Sequence, residues 1–288
     1  MSIRRILAPL TGGERDQVVL ASAFQAAGPF PGHVVALFIR PDPAEAMPFF
    51  GEGVSPVVVQ EIVGVAREAA DRAAAGARAS LVAAAAAAGV SVLDKPARSG
   101  AVTSSFREVQ GNFADCVVQA SRLTDLIVIG PLAESDNPGL TEAFEATLLE
   151  TGRPILLSAQ IPPVALGRRI AVACDGSVAS AHAVSAALPF LKRADVVEIL
   201  TMRSGPVQPN CVDEVRQYLD LHGVSITHRV VEQGQNTIGR ALLDAAVTSE
   251  ADMLVLGGYG HSRLRQFFGG GVTRHVVSHA RLPVFMVH

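Results

Sequence analysis

The second half of this chain restates the first. Arg5-Ile6-Leu7-Ala8-Pro9-Leu10-Thr11-Gly12-Gly13 is matched by Arg169-Ile170-Ala171-Val172-Ala173-Cys174-Asp175-Gly176-Ser177, 164 positions later. Asp125-Leu126-Ile127-Val128-Ile129-Gly130 is matched by Asp252-Met253-Leu254-Val255-Leu256-Gly257, 127 positions later, and Arg153-Pro154-Ile155-Leu156-Leu157 by Leu282-Pro283-Val284-Phe285-Met286, 129 positions later. Two copies of one supersecondary unit explain a repeat kept at both ends, and the drop in offset assigns about 37 extra residues to the middle of the first copy. They fall most simply in the Pro/Gly/Phe-rich stretch 41–56 and the Ala-rich helical pattern after it.

Within each copy, short β-branched runs alternate with amphipathic stretches, the pattern of parallel strands joined by crossover helices. Strands are expected near 4–10, 33–39, 90–95, 125–129 and 154–158, and again near 168–174, 195–201, 224–231, 252–256 and 283–287. Helices are expected over 178–191, 211–222, 235–249 and 271–280. The continuous apolar run from Asp252 to Leu256 suits a central strand covered on both faces. Ile161-Pro162-Pro163 marks a linker at about 160–167. The expected fold is α/β: two tandem doubly wound, mostly parallel five-stranded domains, 1–160 and 167–288, with helices on both faces.

Composition narrows the function. A net charge of −3, with no lysine- or arginine-rich run, gives no pull toward nucleic acid. Trp is absent and only 2 Tyr occur, so stacking platforms for single strands are not evident. No stretch reaches the ~20 apolar residues of a membrane span, and the opening residues read as a first strand, not a signal peptide. Three scattered cysteines, Cys116, Cys174 and Cys211, argue against a disulfide framework and fit a reducing, cytoplasmic setting.

The sharpest local signal is Leu254-Val255-Leu256-Gly257-Gly258-Tyr259-Gly260, followed by Phe268-Gly269-Gly270-Gly271-Val272-Thr273. Glycines after a strand, with more at the start of a helix, let backbone N–H groups approach one anion. In doubly wound sheets ligands bind beyond the carboxyl ends of strands, where strand order reverses. Asp175 and the glycines after 256 both fall at that edge. Glycines there are also common turn-makers, and Asp175 or Ser177 also suits a helix N-cap.

With these motifs the chain resembles a tandem universal stress protein. Asp175-Gly176-Ser177 matches the family's strand-ending Asp-Gly-Ser, and Gly257, Gly260 and Gly270 match its Gly-x2-Gly-x9-Gly spacing. The resemblance implies an adenine nucleotide, ATP or a relative with Mg as an optional companion, bound in the second half. It places Asp175 by the adenosine, a backbone contact from Met202 on adenine, the 257–260 loop along the phosphates, and Gly270 and Gly271 as donors at the helix start. Gly271 departs from the family's Ser or Thr, with Thr273 nearby. The first half departs further. Thr11 replaces the Asp, and Glu134 and Asp136 would repel phosphate, so it is expected to be a degenerate partner. The two halves are expected to form an intrachain pseudo-dimer, and a further homodimer stays open.

Other residues read more plainly. Arg263 and Arg265 suit solvated surface, and His275 and His279 a half-exposed helix face in preference to a metal site. Cys174 suits a buried strand residue. Phe49-Phe50 covers a pocket or packs as core. No Gly-Lys-Ser/Thr loop or Gly-x-Ser-x-Gly elbow occurs, so catalysis is expected to be at most slow ATP hydrolysis. A second reading stays open: a nucleotide-free interaction module, with 283–287 pairing against 155–157 or another chain.

Overall fold

In the computed structural model, which describes residues 2–42, 56–132, 138–203, 210–258 and 271–288, the strands of both halves join one sheet. The first half runs β1 (Arg5–Leu10), α1 (Asp16–Ala27), β2 (His33–Arg40), α2 (Pro56–Ala88), β3 (Ser91–Val92), β4 (Thr103–Gln110), α3 (Phe113–Ser121), β5 (Leu126–Ile129), α4 (Pro138–Glu150) and β6 (Ile155–Leu157). The second runs β7 (Arg169–Ala173), α5 (Val178–Leu191), β8 (Val196–Met202), α6 (Cys211–Leu221), β9 (Thr227–Val231), α7 (Ile238–Thr248), β10 (Met253–Gly257), α8 (Gly271–His279) and β11 (Val284–Val287).

Strand order is β3-β4-β2-β1-β5-β6-β11-β10-β7-β8-β9. Pairing is parallel everywhere except between β6 and β11, where Leu156 faces Phe285. Each half is doubly wound, with its order reversing between β1 and β5 or between β7 and β10. The expected five strands hold in the second half. Among the described residues the first half has six, because the segment near 90–95 contributes only the two-residue edge strand β3, and β2's true neighbour is β4. That strand hides in sequence because Thr103, Ser104 and Ser105 are polar yet buried. His33 binds Thr103 Oγ1 and Ser105 Oγ, each at 2.8 Å, and so satisfies groups that burial would otherwise penalise. The insertion lies mainly in α2, 33 residues against 11 in its counterpart α6.

The repeated aspartates have matching structural tasks. Asp125 accepts hydrogen bonds from the Arg4 and Arg5 amides, at 2.8 and 2.9 Å, and Asp252 accepts from the amides of Gly167, Arg168 and Arg169. Each carboxylate holds the start of its half's first strand beside the strand that follows it, β1 beside β5 and β7 beside β10. Apolar residues of both halves merge into one core on each face of the sheet. One contains the α1, α2, α5 and α6 side chains, the other those of α3, α4, α7 and α8. Phe190 meets Phe30 of the other half and Phe285 of its own edge-on, with centroids 5.4 and 5.9 Å apart. The pairing of 283–287 with 155–157 is therefore made within the chain.

Candidate functional site

Parallel strands place both β7 and β10 with their carboxyl ends at one edge, on either side of the topological switch. Val255 pairs with Val172, so the register, continued, sets Cys174 and Asp175 level with Gly257 and Gly258. Asp175 leaves the strand in a tight turn. Its Oδ1 accepts from the Ser177 amide at 2.8 Å, and Gly176 takes φ +79°, a conformation that favours glycine. Ser177 caps α5 by accepting from the Ser180 amide at 3.1 Å. The capping role thus belongs to Ser177, which leaves Asp175 Oδ2 without a partner among the described residues.

Backbone alternation aims two more residues at the same space. The Leu200 carbonyl accepts from Cys174 N–H at 2.9 Å on the β7 side, whereas Arg203 N–H donates to Val231 on the β9 side. Met202, two residues after Leu200, therefore turns its N–H and C=O toward the β7 side, beyond the last β7–β8 hydrogen bond. On β10, Leu254 and Gly258 donate toward β11, so Gly257 between them faces β7. Met202 and Gly257 thus flank the strand end from which Asp175 emerges.

The two ends of the glycine motif behave differently. A Cβ on Gly257 would lie 2.5 Å from the Ala179 carbonyl carbon, and one on Gly258 2.8 Å from a Leu148 methyl. Both glycines permit close packing, Gly257 of α5 on β10 and Gly258 of α4 from the other half. Among the described residues nothing lies within 4 Å of a Cβ added to Gly271, where α8 starts at the same sheet edge. Thr273 is buried on the inner side of α8, at 5% exposure. Gly260, Gly270, Arg263, Arg265, Glu134, Asp136 and Phe49-Phe50 lie outside the described residues.

Cys174 is buried, and burial, reinforced by the neighbouring Cys211 side chain, pushes its thiol up to about 12. It therefore stays protonated, which disfavours it as the first thiol to react with an electrophile from solution. The His275 and His279 rings stack at 4.3 Å and 11°, and His275 Nε2 is buried without a partner. No three His, Cys, Asp or Glu side chains among the described residues converge as metal ligands. A cavity of about 270 Å3, lined by Arg169, Glu198, Arg229 and Ser249 among others, opens at the opposite sheet edge, away from Asp175.

The first half closes the equivalent space. Its strand-end turn is held by Asp16, which accepts from the Thr11 and Gly12 amides at 2.9 Å each. Burial raises the Asp16 pKa, and the two amide bonds oppose that shift. Over this turn runs α2: a Cβ on Gly12 would lie 2.4 Å from the Ala73 carbonyl oxygen. Sequence comparison of the loops alone could not have shown this, since the blocking group is backbone from an inserted helix.

A strand-end carboxylate and the start of α8 thus both lie at the carboxyl edge of a doubly wound α/β sheet, the edge at which such folds bind ligands. Residues 167–288 match the sequence model of the universal stress protein family. In fold, the whole chain is similar to a universal stress protein from Archaeoglobus fulgidus DSM 4304, at 15% identity and TM-score 0.66, over 99% of this chain and 96% of that one. A putative universal stress protein from Pseudomonas aeruginosa UCBPP-PA14 is similar at 14% identity and TM-score 0.55, over 99% and 93% of the two chains. No curated protein matches by sequence. Among the described residues no helix is long and apolar enough to cross a membrane.

Proposed function

We propose that the chain is a tandem universal stress protein that binds an adenine nucleotide in its second half and uses it as a regulatory ligand. One observation carries this reading: backbone groups of Met202 and Gly257 face the strand end that presents Asp175. Asp175 would hold the ribose, Met202 the adenine edge, and the α8 start near Gly271 the phosphates. Mg, when present, would screen phosphate charge. Gly257 supports the site indirectly, by keeping α5 close. The nucleotide would act by differential affinity for one conformation or assembly, not by turnover.

Calorimetric titration of ATP into the full-length protein tests the reading. Saturable heat, reduced by Asp175→Ala, is the expected result. Absence of heat and of any thermal shift at millimolar ATP would remove it. The packing contacts at Gly257 and Gly258 favour a second reading, in which the glycines serve only the fold and the chain is an interaction module. An oligomeric state identical with and without ATP, together with no binding heat, supports that alternative.

A further inference from the structure

Two thiols at the β7–α6 junction are unused by the proposed nucleotide site. Cys174 follows β7, and Cys211 is the first residue of α6. Both are 4% exposed and neither is in a disulfide. Ala173 pairs with Leu200, so the register sets Cys174 level with Thr201 on the same sheet face. Thr201 and Cys211 line one cavity of about 310 Å3, together with His228 and Arg216. Both side chains pack in the same apolar cluster, and Cys211 is among the neighbours that raise the Cys174 pKa. Thus the two thiols lie in one packed cluster, Cys174 beside a strand residue that shares a cavity wall with Cys211, and that cavity is larger than a hydroperoxide requires.

We infer that Cys174 and Cys211 form an oxidation-sensitive pair that closes into a disulfide when a hydroperoxide enters this cavity. Cys211 sulfur attacks one peroxide oxygen, the O–O bond breaks, and the thiol proton leaves on the departing oxygen as water when the oxidant is hydrogen peroxide. Cys174 sulfur then attacks the resulting sulfenic acid. The S–O bond breaks, the S–S bond forms, and the Cys174 proton leaves with the hydroxyl as a second water. One peroxide gains two electrons, and each sulfur gives one. Cys174 is suited to the second step because burial keeps it a thiol that peroxide does not consume first. The bond would tie the residue before Asp175 to the start of α6.

Hydrogen peroxide treatment of the full-length protein, alkylation of remaining thiols and non-reducing peptide mapping by mass spectrometry test this. The expected product is a cross-linked Cys174–Cys211 peptide pair that dithiothreitol removes and that Cys174→Ser lacks. Cys116, half-buried in the other half, serves as an internal comparison. The inference is overturned if both thiols stay alkylated at doses that oxidise Cys116. It is equally overturned if they appear as sulfinic acids or cross-link to Cys116. The wild-type map decides the outcome even if the serine variant misfolds.

Discussion

A Cβ placed on Gly257 would stand 2.6 Å from the Ser180 amide nitrogen, so the end of β10 and the first turn of α5 meet backbone to backbone. Neither partner can yield, since one is a central strand and the other a capped helix turn. Gly257→Ala should therefore cost about 1–3 kcal/mol, as overpacking does. Gly271→Ala should lie within about 0.5 kcal/mol of wild type, because among the described residues an added methyl meets nothing within 4 Å. Urea midpoints of the two variants check the contrast. Equal losses would mean that α8 begins in a more crowded place.

Nucleotide affinity should respond in the opposite pattern. Gly271→Ser adds a hydroxyl at the helix start, where the family pattern carries Ser or Thr. A hydrogen bond to a charged phosphate is worth about 1.5–3 kcal/mol, so ATP should bind one to two decades more tightly. Asp175→Ala should weaken binding about tenfold while shifting stability by only about 1 kcal/mol, since among the described residues the carboxylate bonds to the Ser177 amide alone. Titrations of both variants against wild type measure this. Unchanged affinity in both would place the phosphates elsewhere.

Much of this architecture was legible in the sequence because the repeat samples it twice. Strong apolar runs such as Leu126–Ile129 and Met253–Gly257 announce central strands, and in the second half the helices fall within a few residues of expectation. What stayed hidden depends on long-range contact. β4 opens with buried Thr and Ser whose hydroxyls are satisfied by a histidine 70 residues away, so its burial leaves no apolar signature. The glycines pointed to the correct edge, but their tasks divide. Gly257 and Gly258 accommodate Ala179 and Leu148, contacts that no local motif encodes. Both β6 and β11 looked like possible edges, and only their mutual pairing shows that the halves form one sheet.

Acid should loosen both halves as pH falls below neutrality. Burial, with the nearby Arg5 charge, lowers the His33 pKa below 6.5, and burial lowers His275 likewise, helped by His279 and Arg240. A depressed histidine pKa means that the unfolded chain binds protons more readily than the folded one. Stability is then fully present above about pH 6.5 and falls as pH drops through the lower folded values. His33→Val should remove part of that slope. At pH 7.5 it should cost about 1–3 kcal/mol by leaving the Thr103 and Ser105 hydroxyls unpaired. Urea midpoints from pH 5 to 8 test both statements. A wild-type midpoint that rises on acidification would contradict the assignment.

Gly12 and Gly76 let the inserted helix seat on the first half's strand-end turn. Gly12 has φ +81°, and its absent Cβ would strike the Ala73 carbonyl. A Cβ on Gly76 would lie 2.9 Å from the Gly12 carbonyl oxygen. Gly12→Ala combines a left-handed backbone, costing about 1 kcal/mol or more, with a backbone clash of about 1–3 kcal/mol. Gly76→Ala meets only the clash, and gains up to about 1 kcal/mol from helix propensity. The first substitution should therefore be clearly the more destabilising. Because α2 covers the turn, lifting it should expose protected amides. Hydrogen exchange at Thr11 and Gly12, whose N–H groups donate to Asp16, should accelerate in Gly12→Ala. Neither variant should change ATP affinity if the second half alone holds the nucleotide. A Gly76→Ala protein that loses binding while its melting transition stays intact would instead place the ligand under α2.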